Sequence, residues 1–265
     1  MTPNQTEKIN SKKVAMFGIN INALVMEEAV SLIKIWLNES SRDCRFVVTP
    51  NVDHIVKLNN NEMFKKAYQH ASLVIADGKP LVWASKLFGE AIEVTVPGSD
   101  LVPAIFDRYK QDNQPLKIFL LGAGPGVAEK AKIVIHGQWP TVKVVGIYSP
   151  DFGFENNKQE SNNICQLINA SAADLLVIGL GAPKQELWVN AYAASLKVKV
   201  ALCVGATIDF IAGEKKRAPA LMQILCLEWA YRMMLEPKRL APRYFLDGLV
   251  FPWLLIKEWY LRRCK

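Results

Sequence analysis

The residues best suited to chemistry lie in short polar segments that follow apolar runs. Asp77 stands directly after the run 73–76 and before Gly78. A carboxylate there can be partly desolvated, with its pKa raised toward the working range of a general base. The same position would also cap a helix beginning near Lys79, and the pattern alone leaves both readings open. Thr49 and Asn51 flank Pro50 and either bond a ligand or shape the turn. Gly122-Ala-Gly-Pro-Gly126 joins a strand to a helix, where backbone N–H groups can hold a phosphate. In this segment Gly122 and Gly124 are the candidate ligand contacts. As a dinucleotide fingerprint it is incomplete, since Val127 occupies the third glycine position and no acidic residue closes the next strand. In Gly179-Leu-Gly-Ala-Pro-Lys-Gln-Glu186, Gly181 permits close backbone approach and Pro183 suits a first helical position. Lys184 and Gln185 then project beside a bound phosphate or sugar. Asp53 and His54 fall inside a helix and read as structural.

Several chemistries are excluded by what the sequence lacks. There is no Asp-x-Asp pair of the kind that holds a divalent cation in metal-dependent sugar transfer, and no HExxH, GxSxG or GxxxxGK[ST]. No metal site and no cofactor are expected. Any departing diphosphate must be stabilised by protein groups.

The elements that position these residues alternate in type. Apolar runs at 14–17, 45–49, 73–76, 117–121, 142–147, 175–179 and 198–204 predict strands. Apolar spacing of 3.6 residues predicts helices at 26–38, 52–60, 62–70, 80–88, 99–111, 127–138, 159–171 and 183–194. The alternation predicts an α/β fold: Rossmann-like, mostly parallel sheets in two lobes, with helices on both faces. The polar tract 111–115 marks the junction. It divides the chain into an N-terminal lobe, 1–113, a Rossmann-like lobe suited to a nucleotide, 114–212, and a helical C-terminal appendage, 213–265. Nearly all the Gly, Asp, Asn, Thr and Gln that interrupt the apolar pattern follow strands, where open parallel sheets bind ligands.

The appendage holds 11 of the 32 Lys and Arg against five of the 25 Asp and Glu, so it carries +6 of the formal +7. It also holds eight aromatic residues. Basic charge interleaved with amphipathic rings suits an anionic membrane surface. Nucleic acid is not expected as a partner, because the basic residues cluster with Trp and Leu. No signal peptide or membrane-spanning run is read, and the five scattered cysteines are expected as reduced thiols.

Six ordered segments resemble the WecG/TagA/CpsF glycosyltransferase family: TPNVDHIV at 49–56, ADGKPLVW at 76–83, VPGSDL at 96–101, FLLGAGPGVAEKA at 119–131, GLGAPKQELW at 179–188 and VGATIDFIAGEKKRAP at 204–219. The resemblance implies inverting, metal-independent sugar transfer from a UDP-sugar donor to an undecaprenyl-diphosphate-linked acceptor. It places the enzyme peripherally on the cytoplasmic face of the bacterial plasma membrane. N-acetylmannosamine, its uronic acid and glucose are the sugars it admits. By the resemblance Asp77 is the base for the acceptor hydroxyl and Thr49 shares its pocket. Asn51, Gln185 and Asp209 match donor or acceptor contacts. Arg232 and Arg239 match arginines that close over a diphosphate, with Arg243 standing in for a further basic residue beside Pro242. The tail then divides into a lid through Arg243 and an interfacial anchor, with Phe251, Trp253, Trp259 and Tyr260 toward lipid and Lys257, Arg262, Arg263 and Lys265 toward headgroups. A homo-oligomer is compatible with the apolar stretch 220–235. The competing expectation is a non-catalytic peripheral membrane-binding protein on the same scaffold.

Overall fold

The computed structural model describes residues 13–90, 92–219, 222 and 227–263. A hairpin comes first, with β1 (Lys13–Met16) and β2 (Ile19–Asn22) paired antiparallel. Six further strands follow: β3 (Arg45–Val48), β4 (Leu73–Val74), β5 (Leu116–Gly122), β6 (Val142–Tyr148), β7 (Leu175–Gly179) and β8 (Val200–Cys203). They form one sheet in the order β4-β3-β8-β7-β5-β6, with every pairing parallel. Strands buried on both faces need apolar residues at every position, which is why their sequences read as continuous runs. Along β7, Leu175 and Val177 enter one helix layer, while Leu176 and Ile178 enter the other.

One layer contains α1 (Met26–Asn38), α5 (Gly98–Gln111), α6 (Val127–Gln138) and α9 (Thr207–Ile211). The opposite layer contains α2 (Val52–Asn60), α3 (Glu62–His70), α4 (Lys79–Leu87), α7 (Lys158–Ala170) and α8 (Lys184–Tyr192), with the hairpin packed among them. The appendage contributes α10 (Glu228–Leu235) and α11 (Pro237–Arg263), the latter running through Pro242 and Pro252.

Two sequence expectations change here. The run 14–17 does not join the parallel sheet, because Phe17 and Gly18 both take positive φ, 54° and 76°, and reverse the chain into β2. Positive φ at both central residues is the geometry of a two-residue hairpin turn. Asn22 at the end of β2 is buried, and its Oδ1 accepts from the Val74 N–H at 3.1 Å, satisfying the outer edge of β4. The two segments read as lobes also share this one sheet. β3 and β4 come from the first and β5 to β8 from the second, joined where β3 pairs with β8. Separate sheets would leave both of those strands with an unpaired inner edge. The tract 111–115 is the turn from α5 into β5, with Asn113 at φ 48°.

The last helix is tied to the body by its own inner face. Leu240, Asp247, Phe251 and Leu254 are buried. The Phe251 ring lies 5.7 Å from Phe17, which lies 5.8 Å from Phe88. Arg262 covers Phe88 at 4.7 Å, donates to the Ala15 carbonyl and pairs with Glu258 at 3.0 Å and Glu90 at 3.6 Å. Phe251 and Arg262, expected to face lipid and headgroups, therefore belong to the protein's interior contacts. Lys265 lies outside the described residues. Phe251→Ala is expected to lower the unfolding free energy in urea by about 3 kcal/mol. Trp253→Ala, on the outer face at 53 % exposure, should change it by less than about 0.5 kcal/mol.

Candidate active site

The carboxyl ends of the strands open on a cavity of about 540 Å³. Its geometry starts from three glycines. A Cβ on Gly122 would lie 2.6 Å from the Gly179 carbonyl oxygen, and one on Gly179 would lie 2.9 Å from the Gly205 carbonyl oxygen. Only glycine lets the ends of β5, β7 and β8 approach this closely. Neighbouring β5 and β7 then send their helices to opposite layers, α6 to one and α8 to the other. That divergence opens a crevice of the kind in which open α/β sheets bind ligands. Gly122 itself builds the crevice but does not line it; Ala123, Gly124, Pro125 and Gly181 do.

Asp77 lies at the β4 end of the cavity. Its N–H donates to the Pro50 carbonyl at 2.8 Å, which fixes it beside the loop carrying Thr49 and Asn51. α4 starts after Gly78, at φ 126°, with no side-chain cap. The capping alternative for Asp77 is therefore not what the chain uses. The residue is half-buried, with protein packed around the carboxyl and one side open to the cavity. Burial pushes its pKa up from 3.8 to about 7; Arg232 opposes the rise, while Glu228 and Asp100 add to it. Thr49 is buried, its hydroxyl donating to the Cys203 carbonyl at 3.3 Å across β3 and β8. The Asn51 side chain accepts from the His54 N–H at 3.3 Å and caps α2.

Gln185, expected as a substrate contact, lines the cavity and also has a structural task. Its Oε1 accepts from the N–H groups of Gly181 and Gly205, both at 3.2 Å, while its Nε2 donates to Glu186 Oε1 at 2.8 Å. One buried amide thus braces two cavity loops. Behind it, Glu186 is fully buried and burial raises its pKa to about 7. His54 lies 4.0 Å from Glu186 and bonds Tyr68 through Nδ1 at 2.6 Å. Burial lowers the His54 pKa to about 3, so the ring is neutral and makes no ion pair.

Among the described residues five cations line the cavity, and each is held by a carboxylate. Lys184 pairs with Glu155 at 3.0 Å and Lys215 with Asp209 at 3.3 Å. Arg232 pairs with Glu228 at 2.8 Å, Arg239 with Glu236 at 2.6 Å and Arg243 with Asp53 at 3.1 Å. A guanidinium has five N–H donors, so one carboxylate leaves donors for a ligand. All three predicted arginines reach the cavity from the appendage, and Asp209 lines it as well while holding Lys215. Asp53 and His54, read as structural, also line it. The available signal was Asp53-x-x-x-Lys57, an i,i+4 pair at 2.7 Å that turns Asp53 into a fixed anion for Arg243.

A doubly covered parallel sheet with a cation-lined cavity at its strand ends defines an α/β protein with a site suited to an anionic ligand. Over residues 14–265 the chain matches the Glycosyl transferase WecG/TagA/CpsF family, and it belongs to that family. It is similar to N-acetylglucosaminyldiphosphoundecaprenol N-acetyl-beta-D-mannosaminyltransferases of Staphylococcus aureus. Identity is 28% with the protein of strain MRSA252 and 27% with that of strain NCTC 8325 / PS 47, each alignment covering 89% of both chains. The protein is thus a glycosyltransferase, which sets aside the non-catalytic scaffold.

The raised pKa of Glu186 makes a prediction about stability. The folded state keeps a proton that the unfolded chain releases above its ordinary value of 4.5, so the stabilisation is present below that pH and lost as pH rises through about 7. Glu186→Gln should reduce the stability lost between pH 5 and pH 8 by up to about 3 kcal/mol relative to the parent, measured by urea unfolding at both pH values.

Proposed function

We propose that the protein transfers a sugar of the N-acetylmannosamine type from a UDP-sugar to an N-acetylglucosamine carried on undecaprenyl diphosphate. Inversion at the anomeric carbon and independence from metal are part of the proposal. The observation that carries it is Asp77, a cavity-facing carboxylate free of any capping role and poised near pH 7. The activity for which the Staphylococcus aureus relatives are named supports the choice of sugar and acceptor.

In this mechanism ionised Asp77 takes the proton from the acceptor hydroxyl as its oxygen bonds to the anomeric carbon. On the opposite face the bond from that carbon to the diphosphate oxygen breaks, and the electron pair leaves with UDP. Lys184 and Lys215, with Arg232 and Arg239, supply the positive charge that the departing diphosphate requires. Arg243, anchored on Asp53, faces the acceptor's diphosphate.

The acceptor's lipid stays in the bilayer, so the cavity must work at a membrane surface. No helix of the described residues is long and apolar enough to cross a membrane. The outer face of α11 instead carries Phe245, Leu249, Trp253, Ile256 and Tyr260, each more than half exposed and spaced three or four residues apart. Lys257 lies 5.0 Å from the Trp253 ring and Arg263 3.8 Å from the Trp259 ring. An apolar stripe edged by cations suits the interface of an anionic leaflet. We assign this face to the inner surface of the plasma membrane.

Asp77→Asn should fold normally and lose about 10²–10⁴-fold in turnover, read as UDP release with a short-chain polyprenyl-diphosphate acceptor. Because the base must be ionised, the parent's rate should climb with pH through about 7 and then level off. Near-full activity in Asp77→Asn removes Asp77 from this role. Separately, the double substitution Leu249→Glu and Ile256→Glu should abolish co-sedimentation with anionic vesicles while leaving turnover on a water-soluble acceptor unchanged. Undiminished vesicle binding would reject the α11 stripe as the membrane contact.

A further inference from the structure

The segment after β6, Pro150-Asp-Phe-Gly-Phe154, treats its two phenylalanines in opposite ways. Phe154 is buried and packs on Trp188 of α8, with ring centroids 6.5 Å apart. Phe152 is 95 % exposed at the wall of the cavity. Gly153, at φ 88°, makes the turn between them. Phe154 already provides the segment's packing, so Phe152 adds nothing to the core. A single exposed apolar ring is ordinary in itself; what sets Phe152 apart is its place on the cavity wall.

Its position is nevertheless held. The Lys184 ammonium lies 3.6 Å from the Phe152 ring centroid, and Glu155 of the same segment holds that ammonium at 3.0 Å. A cation fixed against one ring face leaves the other face open to a second planar group. The location along the sheet says which group. Asp77 follows β4 at one edge and Phe152 follows β6 at the other. Five inter-strand steps of roughly 4.8 Å separate those edges, on the order of 24 Å. The glycine crevice between β5 and β7 lies between them, nearer to β6. A nucleotide sugar with its anomeric carbon toward Asp77 and its diphosphate over the crevice must send its base toward β6.

We infer that Phe152 is the stacking platform for the nucleobase of the donor, with Lys184 fixing the ring from behind while remaining within the phosphate-binding wall. The inference rests on the nucleotide-sugar reading above and adds a donor-binding residue to it. Aromatic stacking accepts any planar base, so Phe152 contributes affinity, and uracil is selected by other contacts.

The test is binding of UDP to the full chain by calorimetry, with pyrophosphate followed by its displacement of UDP. Phe152→Ala should weaken UDP about tenfold and leave pyrophosphate unchanged, and Phe152→Trp should restore UDP affinity. Equal UDP affinity in the parent and Phe152→Ala overturns the inference with the nucleotide reading intact. Equal weakening of UDP and pyrophosphate overturns it as well, since the ring would then be shaping the phosphate wall. A parent chain that binds no UDP overturns the nucleotide reading itself, and this inference with it.

Discussion

The site depends on how closely three strand ends approach. Gly122 and Gly179 stand where any side chain would collide with the neighbouring segment's carbonyl, and Gly205 supplies the second of those carbonyls. This close approach brings three loops to one cavity and lets the N–H groups of two of them, at Gly181 and Gly205, share a single acceptor, the Gln185 amide. The same contact sets a limit. A brace made of one amide satisfies two N–H groups only while both loops hold their positions, so the crevice forms as a unit with the sheet beneath it. Right-handed crossovers then carry α6 and α8 to opposite layers, and the floor opens at the glycines.

Around this crevice burial outweighs charge pairing in deciding protonation. Asp77 has Arg232 in its field and Glu186 has Lys57, yet both carboxyls are pushed up to about 7. His54 has Asp53 beside it and is nevertheless driven down to about 3. In each case desolvation is the largest influence, and the neighbouring charge corrects it only in part. The wall behind the cavity therefore holds a neutral imidazole and a carboxyl poised near neutrality, while formal charge is concentrated in the pairs that line the cavity.

Much of this was legible in the chain. Strands buried on both faces and amphipathic helices write their periods directly, so the extents of α1, α2, α3 and α6 could be read from spacing alone. The cavity was legible as well, because polar residues placed after apolar strands have few structural reasons to be there. What spacing could not convey was partnership. Gln185 looks the same whether it bonds a sugar or two glycines, and Phe251 looks like Trp253 until one is seen against Phe17 and the other in water. The hairpin was missed because Phe17, an unusual residue at positive φ, hides the turn. The single sheet was missed because β3 and β8, its joining pair, are separated by most of the chain.

The ion pairs lining the cavity carry one more implication. Arg232, Arg239, Arg243, Lys184 and Lys215 are long side chains that would otherwise sample many rotamers. Their carboxylates confine them before any ligand arrives, so much of the entropy of ordering them has been lost during folding and not at binding. The anion that enters must compete with Glu228, Glu236 and Asp53, which weakens its hold. In the proposed reaction that competition would favour departure of the spent diphosphate before the next donor enters.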